Sequence, residues 1–342
     1  MDGLKGWLII LVVFAHSLQY SFGADYTNQG LFFDDYLFRY INSFHMPLFM
    51  FISGYLFYFS NKKNFSRIFR KKLIRIGIPY IAYSLCIYIL NTLVSRHINL
   101  SVGDIICGYL MNIWLKWNMW YFLSLLINMT IISMITHICS KQSICNLLFI
   151  LLFFVALIIP DEWMMNILKY MFTFFIFGYW ANQYHLVDFI KFERTMNRKI
   201  LLSSLLLIVL ITFVGLTYGR NIFINNSGYS ISLSSSSWRN TMVTDLVRYV
   251  YAIIVGGLSV VLCKKFIHNS LMRLLGNNTL GIYGIQCIVY VLLFKFYSLT
   301  GIHLEHSYII AIAVTLVVLL TSLTTIRFFR KYKMLSFIFL GQ

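Results

Sequence analysis

"LKGWLIILVVFAHSLQY", residues 4–20, is an apolar run long enough to cross a membrane, and it carries Lys5 and His16. An ionisable side chain in hydrocarbon costs about 2.5–3.5 kcal/mol on insertion scales, so two in one short span demand a reason. Positions 5 and 16 are eleven apart. Eleven steps of a 3.6-residue helix return to within about 20° of the start. Both side chains therefore fall on one stripe, about 16 Å apart along the axis. The pattern to explain is a cation near one end of a membrane helix and an imidazole well inside it.

The rest of the chain is of the same kind. Of 342 residues, 59% are hydrophobic and only 11% charged, with a mean hydropathy of +0.76. Soluble domains carry about 25% charged residues, so this is an integral membrane protein. No polar stretch is long enough for a soluble domain, and a single membrane domain over residues 1–342 is expected. Apolar segments lie at 4–20, 43–60, 74–94, 118–137, 144–160, 163–181, 200–218, 243–263, 277–298 and 307–328. The expected fold is an all-α, polytopic membrane helix bundle of about ten spans, each near the length a ~30 Å core requires. Residues 105–115 read as an interfacial or re-entrant piece.

The net charge of +17 invites a nucleic-acid reading, and its placement argues against one. Lys62, Lys63, Arg67, Arg70, Lys71, Lys72 and Arg75 fall between the second and third segments. Lys191, Arg194, Arg198 and Lys199 follow the sixth, Lys264, Lys265 and Arg273 follow the eighth, and Arg327, Arg330, Lys331 and Lys333 close the chain. The alternate loops hold Asp25, Asp34, Asp35, Asp104, Asp161, Glu162 and Glu305. The positive-inside rule puts both termini in the cytoplasm, so the basic charge is topological, with membrane lipids as its neighbours and no nucleic-acid partner. Reporter fusions after residues 30, 65, 190, 230 and 268 should read out, in, in, out, in; a cytoplasmic readout at 230 overturns this topology. The small residues of "SFGA", 21–24, resemble a signal-peptidase site, but the apolar run is too long and its basic flank too thin for a cleaved leader.

Other motifs carry little. Six cysteines, at 86, 107, 139, 145, 263 and 287, form no CxxC pair and read as small buried hydrophobes. "HLEH" at 303–306 is too loosely spaced for a metal site and sits in an external loop, so no metal is expected. "NNSGYSISLSSSSWRN", 225–240, is a lid or a solvated connector. The second segment, "SFHMPLFMFISGYLF" from residue 43, puts His45 near the outer surface, Pro47 in its first turn and Ser53–Gly54 deeper. Ser53 and Gly54 are small enough for another helix to approach. Antiparallel first and second helices would let His16 and His45 share the outer half of one cavity. A packing hydrogen bond for each histidine, and simple snorkelling for Lys5, are the competing explanations.

"MDGLKGWLIILVVFAHS", "SFHMPLFMFISGYLF" and "RKKLIRIGIPYIAY" together resemble the integral-membrane acyltransferase 3 family, closest to its fucose 4-O-acetylase-like branch. The Lys5–His16 spacing matches the basic residue and histidine of that family's first helix. "WNMWYFLSLL" at 117–126 resembles its Trp-rich fourth helix, and "LLGNNTLGIYGIQ" at 274–286 its late "G-x-x-S-L-x-I-Y-x-x-H" segment. Lys5 stands where most of the family has arginine, and Gln286 where it has the late histidine, so Gln286 is given no role.

The resemblance implies a membrane O-acetyltransferase that takes an acetyl group from cytoplasmic acetyl-CoA. The acceptor is a hydroxyl of a cell-surface or lipid-linked glycan (O-antigen, capsule or exopolysaccharide). It also implies a bacterial cytoplasmic-membrane location. Such a transfer needs a base on the hydroxyl, and histidine is the usual choice at neutral pH. His16 is the candidate base, with His45 as the second catalytic residue. Lys5, Lys71, Lys72 and Arg75 are the candidates for the phosphates of coenzyme A; Ser53, Trp120, Tyr121 and Asn278 are the candidates for substrate. The rival reading from another class is a transporter or flippase for a glycan or anion that uses Lys5 and His16 as a coupling relay. A third is a catalytically silent assembly subunit.

Overall fold

The computed structural model describes residues 1–21, 35–61, 65–94, 119–139, 141–158, 165–186, 238–300 and 307–342, with isolated positions in 103–109 and 202–207. Backbone groups in hydrocarbon must be paired within the segment, and every element among the described residues is helical. In order these are α1 (Asp2–Ser21), α2 (Tyr36–Ser60) and α3 (Phe65–Lys72), then a π-helical turn, Leu73–Gly77, leading into α4 (Ile78–Val94). Next come α5 (Trp120–Ile138), α6 (Gln142–Ile158), α7 (Met165–Gln183), α8 (Trp238–Ile267) and α9 (Ser270–Asn277). Last are α10 (Thr279–Thr300), α11 (Tyr308–Lys331) and a tail whose end, Ser336–Leu340, is again π-helical.

Each expected apolar segment except 200–218 coincides with one of these helices. Five stretches, Phe65–Thr92, Trp120–Ile138, Thr241–Val261, Thr279–Tyr297 and Tyr308–Lys331, are long and apolar enough to cross a membrane. The chain is a multi-pass, all-α membrane protein. Most of the 200–218 segment, the 225–237 part of the expected lid, 303–306, most of 105–115, the 22–24 part of the leader site and the loop acids apart from Asp35 lie outside the described residues.

Two local readings change. The basic stretch between the second and third segments is not all loop: from Phe65 it is helical and runs through the π turn into α4. Pro47 is not in a first turn, because α2 starts at Tyr36 and Pro47 lies inside it. There it withholds the hydrogen bond a normal residue would give the carbonyl of Ser43.

Two compact units emerge. The first comprises Met1–Val12, Phe33–Ile68 and Ile127–Asn277. Asp35 caps α2 by accepting from the Phe38 N–H at 2.7 Å, a contact worth about 1 kcal/mol. α2 packs on α7 through reciprocal glycines: Gly54 faces the carbonyl of Phe175, and Gly178 faces that of Phe51. A methyl group at either position would overlap the opposing backbone. Asn182 of α7 locks the pair by donating to the Tyr55 carbonyl at 2.6 Å. On α8, Arg248 and Asp245 form a buried ion pair at 3.1 Å, with the guanidinium 5.1 Å above the Tyr170 ring of α7.

The second unit comprises Val13–Phe32, Phe69–Leu126 and Asn278–Gln342. Its core is aromatic. Tyr283 of α10 packs on Tyr121 and Phe122 of α5, at 5.2 and 5.4 Å between centroids. Phe339 of the tail stacks on Phe329 of α11 at 4.7 Å and meets Tyr83 of α4 at 5.4 Å. Arg330, near the end of α11, donates to the side-chain oxygen of Asn278, just before α10, at 2.7 Å. That bond sets the two helix ends at one level.

Candidate functional site

α1 is continuous from Asp2 to Ser21, so the helical spacing of Lys5 and His16 read from the sequence holds. Around His16 the second unit builds a polar seat. The Tyr290 hydroxyl of α10 donates to the Val13 carbonyl at 2.6 Å and lies 2.7 Å from the Ser17 hydroxyl. A carbonyl only accepts, so Tyr290 places its hydrogen on Val13 and receives that of Ser17. Thr315 of α11 shares its own hydrogen between the Ala311 carbonyl at 2.7 Å and the Ser17 oxygen at 2.9 Å.

These bonds, each worth about 1 kcal/mol net, fix the rotation of the C-terminal half of α1 against α10 and α11. The imidazole of His16 is thereby held 5.9 Å from the Tyr290 ring, tilted by 55°. It also hydrogen-bonds the side chain of Gln19, one turn further on. Ser17 and Gln19 are buried, and His16 is half-buried.

The basic residues divide. Lys71 and Arg75 line one cavity of about 300 Å³ together with Ile74, Gly341 and Gln342, a volume at the low end for small-ligand sites. The tail closes its wall because Gly341 adopts a left-handed φ of 63° and lies directly against the Arg75 backbone, where a side chain would clash. Lys72 precedes the π turn, is half-buried and does not line the cavity. Lys5 belongs to the first unit and pairs with Asp2 at 2.7 Å. Its ammonium, donating to Asp2, holds that carboxyl below the usual carboxylate range.

The other expected site residues fall in both units. His45 falls in the first unit, buried, with Nδ1 2.7 Å from the Ile41 carbonyl, so Nδ1 carries the hydrogen. Ser53 is half-buried on α2. Trp120 sits edge-on to Tyr121 at 6.2 Å, and Tyr121 is committed to the aromatic core against Tyr283. The Asn278 oxygen is taken by Arg330.

Ser17, Tyr290 and Thr315 were not singled out by sequence, because a hydroxyl in a membrane helix ordinarily bonds its own backbone. The Asp245–Arg248 pair was also passed over, though two charges inside an apolar segment were the signal.

The long apolar helices define a multi-pass membrane protein, in which His16 stands on α1 beside Tyr290 and Lys71 and Arg75 line a cavity. Over residues 1–327 the chain matches the family model Acyl_transf_3, described as an acyltransferase domain, and it belongs to that acyltransferase 3 family. It is a membrane acyltransferase, which decides between the enzyme and transporter readings. No curated protein and no solved structure matches the chain.

Proposed function

We propose that the enzyme moves an acetyl group from cytoplasmic acetyl-CoA to a hydroxyl of a cell-surface or lipid-linked glycan, in a bacterial cytoplasmic membrane, with His16 as general base. The observation that carries this reading is the seat of His16, an imidazole on α1 set beside the bonded hydroxyls of Ser17, Tyr290 and Thr315. The amide nitrogen of Gln19 has no partner among the described residues, so Gln19 meets His16 through its oxygen. The imidazole then donates one N–H to that oxygen and keeps the other nitrogen as the proton acceptor.

In the transfer, the acceptor hydroxyl gives its proton to His16 as its oxygen attacks the thioester carbonyl. The C–O bond forms, the C–S bond breaks, and the departing coenzyme A thiolate takes up the proton. Lys71 and Arg75 would hold donor phosphates at the cavity, where a guanidinium and an ammonium suit that charge. Lys5 and His45 are proposed as accessory groups on the strength of the family resemblance, and the sequence's resemblance to the fucose 4-O-acetylase-like branch supports acetyl as the group moved.

The test is membranes from producing and non-producing cells, supplied with radiolabelled acetyl-CoA. Alkali-labile acetate should appear in the glycan fraction only with the protein. Equal labelling in both samples rejects the reading.

A further inference from the structure

Deep in the second unit, several polar atoms have no hydrogen-bond partner among the described residues. They are both polar atoms of the Gln286 amide, the Ser322 hydroxyl and the Tyr83 hydroxyl. All three residues are 0% exposed. Burying an amide without a partner is strongly unfavourable, so a native site of this kind calls for an occupant. Ser322 is conspicuous against its neighbours on α11. Thr315, Thr321, Thr324 and Thr325 all donate to a carbonyl of their own helix, the usual solution in a membrane, and Ser322 does not.

Helix geometry places Gln286 and Ser322 at the same level of α10 and α11. Gln286 lies eight residues into the helix from Asn278, and Ser322 eight residues back from Arg330, whose side chains are bonded to each other. Both therefore sit about 12 Å from that common end. Gln286 is also one turn from Tyr290, and Ser322 two turns from Thr315, each within about 40° of the same face. Those are the faces that meet Ser17 beside His16. The line thus runs from the helix ends at Asn278–Arg330, past Gln286 and Ser322, to the seat of His16. The tail that stacks on Phe329 of α11 also walls the Lys71–Arg75 cavity, which puts the cavity at the starting end of this line.

We infer that Gln286 and Ser322 bind the amide-bearing pantetheine arm of the acyl donor on its way from the Lys71–Arg75 cavity to His16. The inference rests on the donor proposed above. The arm carries two amides between its phosphate end and its thioester, which is where these residues stand between the cavity and the histidine. A carboxamide with an unpartnered donor and acceptor is the natural complement of another amide. Gln286, which sequence reasoning left without a role, becomes a donor-binding residue.

The test uses the full-length protein in lipid nanodiscs. Binding of coenzyme A is measured beside adenosine 3′,5′-bisphosphate, which has the phosphates but no arm. Gln286→Leu should weaken coenzyme A about tenfold or more and leave the bisphosphate unchanged. Its thermal midpoint should stay level or rise, because an apolar side chain replaces an amide with no partner among the described residues. Ser322→Ala, a smaller change for use if Gln286→Leu fails to fold, should weaken coenzyme A several-fold with the same selectivity.

Wild-type binding of coenzyme A with no change in either variant overturns the inference and leaves the donor reading intact, the polar atoms then being met by water. Equal weakening of both ligands also overturns it, because the loss would not come from the arm. A wild-type protein that binds neither ligand overturns the inference and the donor reading together.

Discussion

His16→Ala should lower acyl transfer by about 10²–10⁴-fold, the usual cost of losing a general base. His16→Gln should fail nearly as badly: an amide can keep the bond to Gln19 but cannot take a proton from a hydroxyl. The seat makes this contrast sharp. Ser17, Tyr290 and Thr315 bond one another and the Val13 and Ala311 carbonyls, so they hold α1 in place whatever stands at position 16. Neither variant should alter membrane level or thermal stability much. The measurement is acetyl content of the glycan at matched amounts of protein, and near-normal acetylation by His16→Gln would end the assignment of His16 as base.

Reversing the charge of the cavity should have the next largest effect. Lys71→Glu with Arg75→Glu should raise KM for acetyl-CoA about 10²-fold or more, since each charge-assisted bond to a phosphate is worth about 1.5–3 kcal/mol. Lys71 and Arg75 are both exposed, so part of the wild-type effect should fade as salt screens it. kcat at saturating donor should change far less, because neither residue belongs to the seat of His16. A matched reversal at Arg67 and Arg70, exposed on α3 and absent from the cavity lining, is the control for general surface charge. An equal rise in KM in that control would make the effect one of the basic surface as a whole.

The helical plan was legible because it depends on local signals. Apolar length located every described span, and the run of cations marked the stretch that holds Lys71 and Arg75. The Asp2–Lys5 pair is a three-residue spacing visible in "MDGLK". What escaped depends on contacts between distant positions. Ser17 meets Tyr290 across 273 positions of chain and Thr315 across 298, and nothing in either local stretch marks those hydroxyls as partners. Asn278 shows the converse limit. A resemblance marked it as substrate-binding, and in the fold its oxygen is engaged by Arg330. Periodicity also misjudged Pro47, because the polar residues of "DDYLFRYINSF" hid the first turns of α2.

The π-helical turn at Leu73–Gly77 gives the region a sensitivity that no point substitution would reveal. Such a turn is an α-helix carrying one residue too many, so it records the count of residues rather than their identity. Deleting one residue between Lys71 and Arg75 would restore an ordinary helix and shorten their separation from four steps to three. The two cations would then point in different relative directions, because removing a residue rotates everything that follows it about the helix axis. The register of α4 against the preceding basic segment would shift with them. Length between these two residues is therefore part of the site: many side-chain changes at Leu73 or Ile74 should be tolerated where a single-codon deletion is not.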